Sequence, residues 1–261
     1  MKVRLQFPLF LFFVALIFCA VPTCVFAAPA SVIHIYEFNS SYADTLGGPA
    51  MVPTGPGGSL TAAEYVFGTD DGLSLSNGVN STEYSIEMLF YISDTSGYVK
   101  FIDYKDLTSD DGLYNHNTAL NFYDEDEGSA GVINNGATVH VVLTRDADTQ
   151  QVVGYVNGVQ QIVFTDDSAD VAVFDAANNI IRFFADDTTT TGEESPGAVD
   201  RIRIYSGVLA PSQVTYLYNG GDPGLTPASI PTINEYGMMI LLLLMAGSSF
   251  WILRQKNNQM V

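Results

Sequence analysis

Residues 197–221 read GAVDRIRIYSGVLAPSQVTYLYNGG, and this stretch decides the fold. Residues 199–205 alternate in a way that predicts a β-strand. Its two faces carry different sets: Asp200, Ile202 and Ile204 on one, and Val199, Arg201, Arg203 and Tyr205 on the other. Pro211 suits the first turn of a helix, and Asn219-Gly220 supplies a helix end. The stretch therefore predicts a strand, a turn and a short helix.

This segment resembles the last core strand and closing helix of laminin G-like, concanavalin A-like domains, which often end I-D-E-V-R-I-Y-x-x-x-L-S-x-x-E-I-x-x-L-Y. Ala210 stands where that pattern has Ser, so we expect the helix to lack its usual side-chain cap. Residues 84–92, YSIEMLFYI, resemble the F-T-I-E-A-W strand of the same family. The resemblance covers residues 33–221 and implies an all-β jelly-roll β-sandwich of two antiparallel sheets for residues 28–222.

A two-residue hairpin is predicted at Asn157-Gly158, between the β-rich runs 152–156 and 159–164. Both residues of such a turn take positive φ, which Asn and Gly tolerate. The family typically carries Y-V-N-G or Y-V-D-G at this place, and residues 155–158 here are YVNG.

The chain of 261 residues is strongly acidic, with 29 acidic against 10 basic residues and a formal charge of -19. Four of the basic residues lie in the terminal segments, so the central domain is more acidic still. Such a surface argues against nucleic acid and anionic lipid as partners. It is compatible with calcium binding, and equally with solubility outside the cell.

Residues 1–27 predict a secretory signal peptide. Lys2 and Arg4 precede an apolar run at 7–20, and small side chains precede a cleavage point after Ala27. Both cysteines, Cys19 and Cys24, fall inside this segment, so we expect no disulfide in the mature chain.

The C-terminal region contains a short linker, 223–229, and a predicted sorting segment, 230–256. The apolar stretch 238–253 predicts a transmembrane helix, and the basic residues after it predict a cytoplasmic C-terminus. The segment resembles the I-P-T-L-x-E-W-G sorting signal of Gram-negative bacteria, through these residues: Ile230, Pro231, Thr232, Glu235 and Gly237. The resemblance implies an inner-membrane intermediate, processing by an exosortase-type peptidase, and delivery to the cell envelope, surface or extracellular matrix. A plain membrane anchor is the alternative.

A calcium site is predicted at Asp186, Asp187 and Glu194, because calcium prefers several oxygen ligands from one acidic loop. Many laminin G-like domains carry one calcium at a loop rim, and the resemblance implies the same here. A flexible acidic loop without an ion is the alternative. Asp200 is expected to be partly buried beside Ile202 and to need a hydrogen-bonding partner.

Four tyrosines are candidates for a sugar-stacking platform, or alternatively for the core: Tyr98, Tyr104, Tyr114 and Tyr123. No catalytic residue is predicted. The acidic run at 124–127 lacks the E-x-D-x-x-E spacing of related glycoside hydrolases, and His116 is expected in a loop.

These patterns together predict an exported, surface-sorted, non-enzymatic protein that binds a glycan or a surface or matrix protein. Its ligand-binding residues are not identified by sequence. A structural envelope or biofilm-matrix component and a glycan-cleaving enzyme are the competing classes.

Overall fold

A computed structural model describes residues 30–167, 170–174 and 179–224. The predicted signal peptide at 1–27, the linker from residue 225 onward, and the sorting segment at 230–256 with its apolar stretch 238–253 lie outside the described residues. Within the described ranges, no helix is both long enough and apolar enough to cross a membrane.

The described residues form strands followed by one short helix. In chain order they are β1 (Ser31–Tyr36), β2 (Val52–Thr54), β3 (Ser59–Leu60), β4 (Tyr65–Phe67), β5 (Gly72–Ser76), β6 (Tyr84–Ile92), β7 (Tyr98–Asp103), β8 (Gly112–His116), β9 (Ala119–Phe122), β10 (Asp126–Glu127), β11 (Val139–Arg145), β12 (Gln151–Val156), β13 (Val159–Thr165), β14 (Ile180–Phe183), β15 (Gly197–Ser206) and α1 (Pro211–Tyr218).

The strands form two antiparallel sheets. The eight-stranded sheet runs β13-β12-β11-β6-β15-β4-β3, with β1 also paired to β15, and the seven-stranded sheet runs β10-β9-β8-β7-β14-β5-β2. The predicted all-β, jelly-roll sandwich of two antiparallel sheets is confirmed. Three short strands, β2, β3 and β4, were not predicted from the sequence.

The main core lies between the two sheets and is rich in aromatic side chains. Phe90 of β6 packs edge-on against Phe101 of β7 at 4.7 Å between ring centroids, and Phe184 stacks on Phe67 at 4.5 Å. All four rings are buried. Burial of large side chains at about 25 cal/mol per Å² of apolar area is the main stabilising term for a domain without disulfides.

A second, smaller core lies on the outer face of the eight-stranded sheet. There α1 packs Val214 and Leu217 against Tyr205 and Val142. Ala210 makes no side-chain cap, as predicted; the Gln213 side chain instead accepts the Ala210 N–H at 2.8 Å.

Asp200 is partly buried and has an arginine neighbour, as expected, but it does not share a face with Ile202 and Ile204. A β-bulge between Val199 and Arg201 interrupts the alternation of β15. Val199 therefore turns into the main core, while the Asp200 side chain is 47% exposed and lies 3.6 Å from the Arg201 guanidinium. A bulge inserts one unpaired residue, which shifts every preceding side chain to the opposite face.

The Asn157-Gly158 hairpin is confirmed, with φ of 51° and 80°. We expect Gly158→Val to lower the free energy of unfolding by about 2 kcal/mol, because a β-branched residue resists positive φ. An added Cβ would also lie 3.1 Å from the Tyr218 ring. The measurement is the thermal unfolding midpoint. Gly136→Val is the matched control, because Gly136 has φ of 66° but an added Cβ there would have no neighbour within 4 Å. This variant should lower the unfolding midpoint less than Gly158→Val does. A midpoint unchanged in Gly158→Val would contradict the hairpin's role.

Candidate functional site

Four rings lie together on the outer face of the seven-stranded sheet, and we call them the aromatic face: Tyr98, Tyr114, His116 and Tyr123. Tyr98 stacks nearly parallel on His116 at 4.1 Å between ring centroids and meets Tyr114 edge-on at 5.8 Å. Tyr123 lies 5.7 Å from Tyr98. The register explains the grouping, because Tyr98 pairs with His116 and alternate residues of β8 share one face.

The aromatic face is open to solvent in part. Tyr98, His116 and Tyr123 are partly exposed, whereas Tyr114 is buried beneath them. Rings packed against one another and against the sheet offer a preformed apolar surface. Such a surface can stack on the apolar side of a ligand without further ordering of the protein.

Polar groups border this face on its β10 side. The Glu127 carboxylate binds His116 Nδ1 and accepts a hydrogen bond from Asn121 Nδ2 at 3.2 Å. The Asn117 side-chain amide lies 2.9 Å from His116 Nε2. Burial, followed by Glu127, Tyr123, Glu193 and Asp110, raises the pKa of the Tyr98 hydroxyl. The Tyr98 hydroxyl therefore lies among negative charges and stays protonated.

The structure decides between the two alternatives for Tyr104 and corrects the expectation for His116. Tyr104 lies in the core against Phe174 at 4.5 Å, because a bulge between Lys100 and Ile102 reverses the alternation of β7. His116, expected in a loop, is the last residue of β8. The alternation of Tyr114 with His116 along β8 is the signal that identifies this face from sequence.

A buried ammonium group lies at the opposite border of the aromatic face. The Lys100 side chain is fully buried, binds the Asp187 carboxylate, lies 3.4 Å from Asp103 Oδ2, and sits 5.0 Å from the centre of the Tyr114 ring. Its backbone N–H donates to the Glu193 carbonyl at 2.9 Å. Burial would raise the pKa of Asp187, but Lys100 and two backbone amides outweigh it and hold the pKa below its ordinary value.

Three carboxylates meet above this lysine, and we call them the carboxylate rim: Asp110, Asp187 and Glu193. Their oxygens lie within 4.8 Å of one another. The Tyr114 hydroxyl donates to Asp110 Oδ1 at 3.1 Å, which joins the rim to the aromatic face. Burial, followed by the charges of Asp110 and Asp186, raises the pKa of Glu193 to about 7. The single Lys100 ammonium does not neutralise all three carboxylates, so the rim keeps a net negative charge.

The predicted calcium residues Asp186, Asp187 and Glu194 line one cavity of about 350 Å³, together with Asp70. Asp187 is engaged, because one oxygen binds Lys100 and the other accepts the N–H groups of Thr189 and Thr190. Asp186 accepts three backbone N–H groups, from Asp187, Gly192 and Glu193.

Asp70, Asp186 and Glu194 supply carboxylate oxygens to this cavity, but among the described residues the three carboxylates within 4.8 Å of one another are Asp110, Asp187 and Glu193. Burial, followed by Asp186 and Asp70, raises the pKa of Glu194, so these groups lack a compensating cation. The ammonium of Lys100 already neutralises Asp187. Calcium at this cavity stays a prediction.

The acidic run 124–127 lies at the β9–β10 turn. Asp124 has φ of 62°, Asp126 Oδ2 accepts the Val163 N–H at 2.7 Å, and Glu127 binds His116. Two of these carboxylates therefore hold neighbouring segments of the sandwich in place.

Residues 67–215, more than half of the chain, match the Laminin_G_3 family, described as the concanavalin A-like lectin/glucanases superfamily. The chain belongs to this family. No curated protein sequence matches it.

Solved structures share the fold at low identity. Domain 4 of AbnA, an extracellular arabinanase from Geobacillus stearothermophilus solved with arabinotriose, is 22% identical with a TM-score of 0.57, covering 73% of this chain and 100% of that one. A botulinum neurotoxin type C structure is 15% identical with a TM-score of 0.55, covering 73% and 51%. The sialidase of Trypanosoma rangeli is 13% identical with a TM-score of 0.54, covering 72% and 32%.

We expect calcium to raise the melting temperature of the protein and a chelator to reverse the rise, because a ligand that binds the folded state stabilises it by mass action. Glu194→Gln should abolish the shift, while Glu64→Gln, which removes the same charge elsewhere, should keep it. A melting temperature independent of calcium would leave the acidic cavity as solvated surface.

Proposed function

We propose that this protein is an exported, non-enzymatic glycan-binding protein, and that the aromatic face is its binding surface. The observation that carries the proposal is the grouping of partly exposed Tyr98, His116 and Tyr123 on one side of a rigid sheet. The resemblance of the fold to lectin domains agrees with it, but the site itself is the argument.

The chemistry of the face suits a sugar ring. An aromatic ring packs its apolar face on the C–H groups of a sugar, and the bordering polar groups hydrogen-bond to hydroxyls. Glu127, Asn117 and Asn121 supply carboxylate and amide groups at the edge of the rings. A site that is open and shared among several rings favours a chain of sugars over a single small molecule.

Two of the structural relatives support a glycan as the ligand class. The arabinanase domain was solved with arabinotriose, and cell entry of botulinum neurotoxin type C depends on interaction with two ganglioside molecules. Both are properties of those proteins. They show that sandwiches of this fold occur in proteins that handle carbohydrate, and the proposal extends this to the present chain.

A binding role is favoured over hydrolysis because two carboxylates near the aromatic face are engaged as structural partners. Glycosidases need two carboxylates facing the scissile bond from either side. Here Glu127 is bound to His116 and Asp187 to Lys100, whereas Asp110 and Glu193 lie together at one border of the face. A structural matrix role without a discrete ligand and glycan cleavage are the alternatives that the binding experiment below separates.

Export is proposed from the sequence, through the signal peptide at 1–27 and the sorting segment at 230–256. The fold is compatible with it. Ala30 and α1 both belong to the smaller core on the outer face of the eight-stranded sheet. The two ends of the described chain therefore lie on the layer opposite the aromatic face. Attachment through the tail would leave that face directed away from the point of attachment.

Removing one ring of the platform should weaken glycan binding. We expect Tyr98→Ala and Tyr123→Ala to lower affinity for the best ligand of a glycan array by roughly tenfold each, equivalent to about 1.4 kcal/mol. Isothermal titration of the purified protein is the measurement, with circular dichroism as the test of folding.

Tyr218→Ala is the matched control, because Tyr218 is 47% exposed but lies on α1 at the opposite layer. Its affinity should equal that of the wild type. Binding that survives both face variants would remove the aromatic face from the proposal. Absence of any glycan ligand would favour the structural class, and release of reducing sugar ends would establish an enzyme.

Processing of the tail is the fourth expected outcome. A peptidase acting at residues 230–237 should release a chain that lacks residues 238–261. The extended linker precedes a helix in the inner membrane, so it is accessible to cleavage at the outer face of that membrane. Intact mass and cell fractionation of the native protein are the measurements. A mature chain that retains 238–261 in the inner membrane would establish a plain anchor instead.

A further inference from the structure

The border between the aromatic face and the carboxylate rim carries an imbalance of charge. Asp110, Asp187 and Glu193 bring three carboxylates within 4.8 Å of one another, and Asp186 adds a fourth charge nearby. Among the described residues, Lys100 is the cation bound in this group, and its ammonium is directed to Asp187 and Asp103. Asp110 and Glu193 therefore lack a positive partner.

The other basic side chains of the described chain are bound elsewhere. Lys105 donates to the carbonyls of Asp170 and Val173, Arg145 binds Asp166, Arg182 binds Asp106, and Arg201 and Arg203 share Glu87. The missing positive charge at the rim is thus not supplied by another part of the described fold.

The rim is continuous with the rings that would stack on a sugar. Tyr114 touches both, since its ring meets Tyr98 at 5.8 Å and its hydroxyl donates to Asp110. After burial, Glu127 and Tyr123, the charges of Glu193 and Asp110 also help to raise the pKa of the Tyr98 hydroxyl. The rings and the rim therefore share one border at Tyr114.

We propose that the aromatic face and the carboxylate rim together select glycans with free amino groups, with the sugar ring on Tyr98 and the ammonium held between Asp110 and Glu193. This inference rests on the proposed glycan-binding function and names its ligand class. A carboxylate–ammonium contact is a charge-assisted hydrogen bond, stronger than a neutral one. The same negative charge repels uronic and sialic acids, so anionic glycans are disfavoured.

The experiment compares three oligosaccharides of equal length by isothermal titration of the full protein: a glucosamine oligomer, its N-acetylated form, and an oligogalacturonate. We expect the amine-bearing oligomer to bind at least tenfold more tightly than the N-acetylated form, and the anionic one not to bind. Equal affinity for the first two, reduced in Tyr98→Ala, would overturn the inference and leave the proposed function standing.

Glu193→Gln tests the rim directly. Its folding should be preserved, because the Glu193 backbone rather than its side chain bonds to Asp186 Oδ2 and to the Lys100 N–H. The variant should lose the tenfold preference and keep its affinity for the N-acetylated oligomer. Glu64→Gln removes the same charge at a distance and should keep the preference. Equal losses in the two variants would show diffuse attraction to an acidic protein and overturn the inference.

Failure of all three oligomers to bind to the wild-type protein would overturn the inference itself.

Discussion

The pairing of β6 with β15 is the interaction on which the rest of the structure depends. The two strands run side by side from Gly197 opposite Ile92 to Ser206 opposite Tyr84 at the centre of the eight-stranded sheet. Their inner faces supply Ile86, Phe90 and Ile202 to the main core, and their outer faces support α1. β15 is covered on both faces. A shift of its register by one residue would therefore place charged side chains in the core and apolar side chains under the helix. The pairing therefore specifies both layers at once.

The sequence predicted the β-sandwich but not the β-bulges and the shortest strands within it. Alternation and the Asn157-Gly158 turn predicted the long strands and the hairpin, because side-chain period and positive φ are local properties. The bulges at Asp200 and at Phe101 were not predicted. A bulge adds one residue to a strand without changing its composition, so nothing in the local pattern marks it. Its effect is large, since Val199 and Tyr104 both changed faces. The short strands β2, β3 and β4 were missed because two or three residues carry too little periodicity.

The sequence predicted the type of site but not which residues form it. Tyrosines along β7 and β8 indicated a platform. The bulge in β7 turns Tyr104 into the core, and β8 extends one residue further than expected, which places His116 on the outer face of the sheet. The carboxylate rim joins residues far apart in sequence, because the backbone of Lys100 pairs with that of Glu193 at the edge of β7. Such a long-range pairing depends on the order of strands in the sheet, which a local pattern does not encode. The predicted residues Asp186, Asp187 and Glu194 line one cavity, but Asp187 is directed to a lysine.

The Lys100–Asp187 pair explains how an acidic loop and an aromatic face come to share one border. Both side chains are buried, and removing one partner of a buried pair costs about 3–5 kcal/mol because the remaining charge is left uncompensated. The pair therefore holds the loop at 186–194 against β7, with Asp187 also accepting two amides of that loop. The fixed loop in turn presents Glu193 beside Asp110, and the fixed lysine lies beneath the Tyr114 ring. One buried ammonium thus positions the rim while neutralising only part of it, and the remaining negative charge is what makes the border suited to a cation.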